Sequence, residues 1–203
     1  MKRKDKKSTS RGFTLLELVF VVAIGSFIMT ALVGLYTTSQ RYFVTESTRS
    51  DIIRDGRIVL LWMSRDIKEA IQVVQSYDAY STSTNSLVLQ VPSLDGNGLI
   101  VDIESDFDYI VYRLNPSYPT KLERVVIPKA GVSSRVDSNR VLANRVNSFV
   151  LKSEGTELSS VPDVTEVLSI DIALILREIR FERTFEEPLN TVVKLRNKEI
   201  TPS

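Results

Sequence analysis

The stretch Arg11-Gly12-Phe13-Thr14-Leu15-Leu16-Glu17 decides the fold, because it opens a long apolar run that continues to about Tyr36. Glu17 is the one charge inside that run, and the next charged residue is Arg41. A helix needs about 20 apolar residues to cross a membrane, so the length predicts a membrane-spanning helix over residues 13–36. A lone carboxylate in such a helix costs roughly 2.5–3.5 kcal/mol on insertion scales, which makes Glu17 a candidate functional residue.

The residues before the apolar run form a basic leader, residues 1–12. The leader holds six basic residues and one acidic residue, a net charge of +5, whereas the rest of the chain holds 20 basic and 24 acidic residues, a net charge of −4. Clusters of Lys and Arg beside a span stay cytoplasmic, so we expect the C-terminal domain on the other side of the membrane. Duplex binding depends mainly on neutralising phosphates, so the acidic remainder predicts no specific nucleic-acid binding.

Composition narrows the classes of function. The chain has no cysteine and no histidine. This excludes disulfide scaffolds, thiolate nucleophiles, His-based triads and His metal sites. We therefore predict no catalytic residue, no metal ligand and no cofactor, and we do not expect an enzyme. An enzyme without these parts is still possible in principle.

Two ordinary explanations compete for the apolar run. A cleaved secretory signal has an h-region of only 7–15 residues and a small-residue cleavage site, and neither feature fits this sequence. An uncleaved single-span anchor fits better and stays open on the residues alone. It would carry a periplasmic or surface binding protein or enzyme, which is the alternative function.

Helical character is predicted to continue beyond the span, over residues 37–75. From residue 45 to 75 there is no proline, and the only glycine is Gly56. Apolar residues recur at spacings of three and four and so favour one buried face of a helix that reaches about Val74. The stripe consists of Leu60, Met63, Ile67, Ile71 and Val74. This pattern places Asp66 on a different face, and it makes Trp62, beside the stripe, a predicted core residue.

The period then changes to two, which predicts strands. Residues 76–86 read as a loop, and residues 87–91 and 99–103 read as a hairpin around the turn at 95–98. Further strands are predicted at 110–114, 122–127, 149–152, 168–176 and 191–196, with surface loops at 130–139 and 153–165. The prediction is an α+β fold, in which a long N-terminal helix packs on an antiparallel sheet formed by a globular domain over residues 76–203.

The residues around Gly12 resemble a known family. Gly12, then Phe13, then Glu17 as the fifth residue counted from Phe13, between a basic leader and an apolar span, is similar to the processing signal of type IV prepilins and type II secretion prepseudopilins. Weaker similarity extends along the chain. These segments are 61–70, 112–114, 122–124, 141–149 and 193–197, and they look most like a minor pilin or minor pseudopilin.

The resemblance implies specific roles. A prepilin peptidase and methyltransferase would cut between Gly12 and Phe13 on the cytoplasmic side, remove residues 1–12 and methylate the amine of Phe13. Glycine before the cut leaves the site unobstructed. In a filament, Glu17 would pair with the cationic Phe13 amine of a neighbouring subunit. The protein would sit in the inner membrane before joining a type IV pilus, a secretion pseudopilus or a competence filament.

The same resemblance implies the partners. They are the peptidase, other major and minor pilins or pseudopilins, the inner-membrane assembly platform and, before assembly, membrane lipid. Some major pseudopilins bind calcium, and Asp95, Asn97 and Asp102 offer oxygen ligands. Their spacing does not match an EF-hand loop. We therefore favour a solvated turn whose acidic edge discourages sheet pairing, and we predict no metal site.

Overall fold

The computed structural model describes residues 14–102, 105–180 and 183–196. They belong to two compact units, Met1–Glu46 and Ser47–Ser203. One long helix, α1 (Leu15–Glu69), precedes antiparallel sheets, which confirms the predicted α+β architecture. The strands are β1 (Gln72–Val73), β2 (Ser76–Tyr77), β3 (Tyr80–Ser81), β4 (Ser86–Pro92), β5 (Phe107–Leu114), β6 (Leu122–Ile127), β7 (Ser138–Ala143), β8 (Val146–Ser153), β9 (Thr156–Glu157), β10 (Ser169–Arg180) and β11 (Arg183–Lys194).

The helix ends five residues earlier than the prediction at Val74. The segment after Glu69 is strand β1, which pairs with β4 through Gln72 opposite Gln90. The Ile71 and Val74 amides donate to carbonyls of β4 at 2.9 and 3.0 Å. Their β-branched side chains suit a pleated surface. The three-and-four spacing of apolar residues therefore extends past the end of the helix by coincidence. The helix ends at Glu69 because the following residues form hydrogen bonds with β4.

The buried stripe of α1 begins earlier in the chain than the predicted one and is turned slightly around the helix. It runs through Thr48, Ile52, Gly56, Val59, Met63, Asp66 and Ile67. The prediction was right for Met63 and Ile67 but wrong for Asp66, which is buried. Trp62 is only half-buried, so the prediction that it lies in the core was also wrong. The Arg124 guanidinium lies over its ring, 5.1 Å from the centroid.

A five-stranded sheet has the order β1-β4-β5-β6-β7 and shares the main core cluster with α1 and the second sheet. Strand β4 pairs with β5 over its whole length, from Ser86 opposite Arg113 to Pro92 opposite Phe107. The predicted hairpin between residues 87–91 and 99–103 is therefore wrong. The segment near Leu99 returns only as far as an isolated bridge between Leu94 and Ile100, so it belongs to a protruding loop.

The far face of this sheet is covered by a small ribbon made of β2 and β3. Tyr77 and Tyr80 pack against a second apolar cluster centred on Val88 and Val111. The Tyr77 ring stacks on the ring of Tyr109. The prediction of a plain loop over residues 76–86 was therefore wrong. Coverage on both faces explains why β4 is buried at nearly every position and does not alternate.

A second, four-stranded sheet has the order β11-β10-β8-β9. The predicted strands at 149–152, 168–176 and 191–196 correspond to β8, β10 and β11, and β11 starts earlier than expected. Gly56 of α1 meets this sheet closely: a Cβ there would lie 1.9 Å from Leu189 Cδ1 and 3.2 Å from Leu176 Cδ1. The missing side chain thus lets the helix approach β10 and β11.

The two predicted surface loops are partly structured. Strand β7 begins inside the predicted loop 130–139. Strand β9 and one 3-10 turn lie inside the predicted loop 153–165, and a second 3-10 turn, Val164–Glu166, overlaps its end. The Thr84 side chain ties the second loop to the rest of the unit, because its hydroxyl bonds both Glu157 and Ser159.

Candidate functional site

The candidate site begins at the N-terminal end of α1. Gly12 and Phe13 lie outside the described residues, so the structure bears only on Thr14 and Glu17. The Thr14 carbonyl accepts the first bond of the helix from the Leu18 amide, which makes Thr14 the N-cap. The Glu17 amide donates to Thr14 Oγ1 at 3.3 Å, and the Thr14 amide donates to Glu17 Oε2 at 3.4 Å. This reciprocal pair is a capping box.

Glu17 therefore has a local role that sequence reasoning missed. The signal was present, since a Thr three residues before a Glu at the start of an apolar run is the capping-box pattern. Both side chains are exposed, and the capping contacts are long, at 3.3–3.5 Å. An acid in the first turn also matches the positive end of the helix dipole. The carboxylate is thus held at the helix start but remains accessible.

The apolar part of α1 is long and apolar enough to cross a membrane. Its large side chains are exposed throughout, including Leu18, Phe20 and Phe27. Its hydroxyl groups bond to the helix itself: Ser26 donates to the Val22 carbonyl at 2.7 Å, and Thr30 donates to the Ser26 carbonyl at 2.9 Å. Polar groups without water must be satisfied internally, so this arrangement suits a lipid environment.

Comparison with known proteins adds one finding. Residues 7–33 match the family model of the prokaryotic N-terminal methylation motif. The match covers the end of the leader, Gly12, Phe13, Glu17 and most of the apolar run. A long apolar helix follows directly. These features fit a type IV pilin-like protein. No curated protein and no solved structure matches the chain.

The motif has consequences for partners and location. It implies processing by a prepilin peptidase and pilin-type partners in general. Together with the apolar helix, it fits anchoring in the inner membrane. It also favours a structural subunit over an enzyme.

The unit Ser47–Ser203 contains a buried acid in its main core. Asp66 Oδ2 accepts hydrogen bonds from Tyr112 Oη and Arg124 Nε, each at 2.6 Å. Burial, and then the charge and hydrogen bond of Asp66, raise the pKa of Tyr112 far above its usual value. Burial alone would lower the pKa of Arg124, but the hydrogen bond and charge of Asp66 outweigh it and raise that pKa. The group is an ion pair that locks α1 to β5 and β6.

A second buried acid organises a loop. Asp108 on β5 is fully buried and accepts from Ser93 Oγ at 2.7 Å, the Lys129 amide at 2.8 Å and Ser133 Oγ at 2.6 Å. Arg135 Nε lies 3.0 Å from Asp108 Oδ2, the oxygen that also accepts from Ser133. Because all these partners come from two chain segments around residues 93 and 129–135, Asp108 holds both loops in place.

The third buried acid, Glu123 on β6, is also engaged. It pairs with Arg113 Nε at 3.5 Å and accepts from the Asn115 side chain. The three buried acids in the described part of the chain thus serve internal contacts. The single-span anchored enzyme or binding protein would require a convergent polar site, and none of these three acids is among the residues that line the described pockets.

The candidate calcium ligands are likewise used within their loop. Asp95 Oδ1 accepts the amides of Asn97 and Leu99, both at 2.8 Å. The Leu99 amide bond is the main cause that lowers the pKa of Asp95. The third candidate, Asp102, accepts a hydrogen bond from Ser105 Oγ at 2.8 Å. Within residues 14–102, 105–180 and 183–196, no group of three acidic side chains is placed to hold a metal ion.

Proposed function

We propose that this chain is a minor pilin or minor pseudopilin. A prepilin peptidase removes residues 1–12 by cutting between Gly12 and Phe13 and methylates Phe13. The subunit then passes from the inner membrane into a type IV pilus, a type II secretion pseudopilus or a related filament. The observation that carries the proposal is the methylation motif at residues 7–33 leading directly into α1.

The charge distribution supports an orientation for the membrane stage. The leader is strongly basic, and the apolar run that follows carries only Glu17. Because Lys and Arg clusters stay cytoplasmic, the leader faces the cytoplasm and the globular unit faces the periplasm or the exterior. The peptidase cut then lies on the cytoplasmic side.

Glu17 is the proposed assembly residue. Cleavage would free a cationic amine at Phe13, and a neighbouring subunit would present its own Glu17 to that amine. The carboxylate can accept this partner because its capping contacts are long and leave it exposed. Two separate charges in lipid are each costly, so pairing them favours docking by several kcal/mol. The apolar helices then pack together as the filament core.

The minor role is supported by the size of the chain and by the second sheet. The chain has 203 residues, more than many major pilins. The four-stranded sheet of β8 to β11 is present in addition to the five-stranded sheet. The proposed partners are the peptidase, major and minor subunits of the same filament, and the inner-membrane assembly platform.

Three variants at the helix start test the assembly role. Glu17→Ala removes both the charge and the cap, whereas Glu17→Gln removes the charge and keeps a side chain that serves in capping boxes. Thr14→Ala weakens the cap alone. We expect cleavage in all three, strongly reduced incorporation into filaments for both Glu17 variants, and near-normal incorporation for Thr14→Ala.

The readout is the amount of each variant in sheared filaments relative to the amount in membranes. Normal incorporation of Glu17→Gln would refute charge pairing. A loss confined to Glu17→Ala and Thr14→Ala would assign the residue to capping instead.

A further inference from the structure

A groove lies at one end of the second sheet, between the turn that joins β8 to β9 and the segment that leads into β10. Its volume is about 400 Å³, within the range of about 300–1,000 Å³ that is typical of ligand sites. We call it the acidic groove. Its lining includes Ser153, Glu154, Thr156, Val161, Glu166 and Leu168.

The acidic groove carries negative charge that is not neutralised locally. Glu154, Asp163 and Glu166 line it, and none of its described lining residues is basic. Glu154 and Glu166 are exposed, and their carboxylates form no hydrogen bond or ion pair among the residues that the structure describes. The chain from residue 153 to residue 176 contains five acidic residues and no basic residue. A cationic group is therefore the complementary ligand.

The lysines at the ends of the adjoining strands lie on the other face of the sheet. Side chains alternate along a strand, so Lys152 lies on the opposite face from Ser153, which lines the groove. Lys194 is registered opposite Ser169, on the opposite face from the buried Ile170. Neither lysine forms an ion pair within the described part of the chain.

A buried hydroxyl without a partner opens into the acidic groove. Ser153 is only 8% exposed. Its Oγ forms no hydrogen bond within residues 14–102, 105–180 and 183–196, yet it is not sealed from solvent. Because Ser153 lines the groove, its hydroxyl faces that space. Buried polar groups are normally hydrogen-bonded, so this hydroxyl marks a place for a polar group of a ligand.

The acidic groove also presents apolar surface. Val161, Pro162 and Leu168 line it, and Leu168 is 52% exposed. A metal ion would not use these side chains, and no described group of three acids is placed to hold one. A free small cation would leave them uncovered. The lining therefore suits a chain segment in which a basic residue stands beside an apolar one.

Both walls of the acidic groove are fixed by local structure. On one side, residues 153–156 form a tight turn in which Glu154 and Gly155 adopt φ values of 51° and 83°. On the other side, Asp163 Oδ1 accepts the Thr165 amide at 2.9 Å. A preformed site loses little conformational entropy when it binds a ligand.

We propose that the acidic groove docks a segment of a protein partner that carries arginine or lysine beside an apolar residue. The basic side chains would pair with Glu154 and Glu166, the Ser153 hydroxyl would accept an N–H group of the segment, and the apolar side chain would cover Leu168. The inference goes beyond the proposed function, because the filament role rests on the unit Met1–Glu46 and this groove belongs to the other unit.

Fluorescence anisotropy with two labelled peptides tests the proposal. The probe is a short peptide in which arginine flanks leucine on both sides, and the control peptide has glutamate in place of each arginine. The full chain is held in an uncharged detergent at low salt, because salt screens exposed charges. We expect the arginine peptide to bind and the glutamate peptide not to bind. Replacing the leucine of the probe by serine should weaken its binding.

Paired charge removals locate the bound peptide. Glu154→Gln with Glu166→Gln should weaken binding of the arginine peptide about tenfold, the combined effect of two partly exposed ion pairs. Glu46→Gln with Asp137→Asn is the matched control, because both residues are exposed acids outside the groove. The control removes the same net charge and should change the affinity less than about twofold, since distant exposed charges are screened.

Covalent labelling gives an independent readout. The chain has no cysteine, so Thr156→Cys places one thiol at the groove, and Thr184→Cys places one at an exposed position of β11 outside it. An arginine peptide that carries a chloroacetyl group should alkylate the thiol at position 156 several-fold faster than the thiol at position 184. Chloroacetamide alone corrects for the intrinsic reactivity of the two thiols.

The chain's own C-terminal residues are the competing occupant. The Leu195 amide donates to the Leu168 carbonyl at 2.9 Å, so the described chain ends beside the groove. A variant that stops after Arg196 should bind the arginine peptide as tightly as the full chain. Clearly tighter binding by the shortened chain would assign the groove to residues 197–203 and overturn the proposal.

Four other results would also overturn it. They are equal binding of the arginine and glutamate peptides, equal weakening by the groove and control charge removals, equal corrected labelling of the two thiols, and full displacement of the peptide by an equal concentration of spermidine, which would indicate a polyamine site. None of these results bears on cleavage after Gly12 or on Glu17, so the proposed function would stand without this contact.

Discussion

The carboxylate of Asp66, in the last turn of α1, accepts a 2.6 Å hydrogen bond from the hydroxyl of Tyr112 on β5. The same oxygen accepts Arg124 Nε from β6, also at 2.6 Å. Asp66 is 2% exposed and Tyr112 is fully buried. One acid on the helix thus connects two neighbouring strands of the sheet and fixes the rotation of the helix against them.

The first prediction concerns the loss of this acid. Asp66→Ala leaves the Arg124 charge and the Tyr112 hydroxyl without their partner, and breaking a buried pair in this way costs about 3 kcal/mol of unfolding free energy. Urea unfolding of the detergent-solubilised chain measures the loss. Fluorescence of Trp62, the one tryptophan, reports it directly because Arg124 lies over that ring.

Tyr112→Phe is the matched control for Asp66→Ala. It removes one hydrogen bond but leaves the ion pair, so it should cost only about 1 kcal/mol. Equal losses for the two variants would mean that the charge of Asp66 contributes nothing beyond the Tyr112 hydrogen bond.

The second prediction concerns alkaline stability. Burial, followed by the charge and hydrogen bond of Asp66, raises the pKa of Tyr112, so the folded protein keeps a phenol proton that the unfolded chain loses above about pH 10. This contribution to stability is complete below pH 10 and is lost as the pH rises. The unfolding free energy should fall by about 1.4 kcal/mol per pH unit more steeply in the wild type than in Tyr112→Phe. If the unfolding free energy falls with pH equally steeply in the wild type and in Tyr112→Phe above pH 10, Tyr112 ionises equally in the folded and the unfolded state.

The third prediction concerns the close approach at Gly56. Gly56→Ala gains about 1 kcal/mol of helix propensity, but its Cβ would overlap Leu189 Cδ1 and crowd Leu176. Overpacking costs 1–3 kcal/mol, so we expect a net loss of about 1 kcal/mol in chemical denaturation. Combining Gly56→Ala with Leu189→Ala should be less damaging than the sum of the single changes. If the losses of unfolding free energy in the two single variants simply add in the double variant, the cost of Gly56→Ala does not come from contact with Leu189.

Much of the fold followed from hydrophobic periodicity. The apolar run predicted the first part of α1, and alternation predicted β4, β5, β6, β8 and β10. Periodicity failed where another segment decides the structure. Ile71 and Val74 fit a helix by spacing, yet they bond to β4. The segment near Leu99 fits a hairpin by alternation, yet β5 competes successfully for the same edge of β4.

The functional residues, like the fold, could be predicted from the sequence only in part. Gly12, Phe13 and Glu17 could be singled out because the motif is local, and the match at residues 7–33 spans them, while their individual roles stay predictions. The partners of Asp66 were not predictable, because Tyr112 and Arg124 lie 46 and 58 residues away in sequence. A charged residue between apolar ones ordinarily marks a solvated face, and only the fold shows that this one is paired and buried.

The mass of the protein isolated from its native membranes tests the central claim most directly. The account predicts loss of residues 1–12, one added methyl group and Phe13 at the N-terminus. Gly12→Leu should keep its leader in the same cells, since a bulky side chain before the cut obstructs the peptidase. A full-length mass for the wild-type protein, in cells whose peptidase is active on other substrates, would contradict the account.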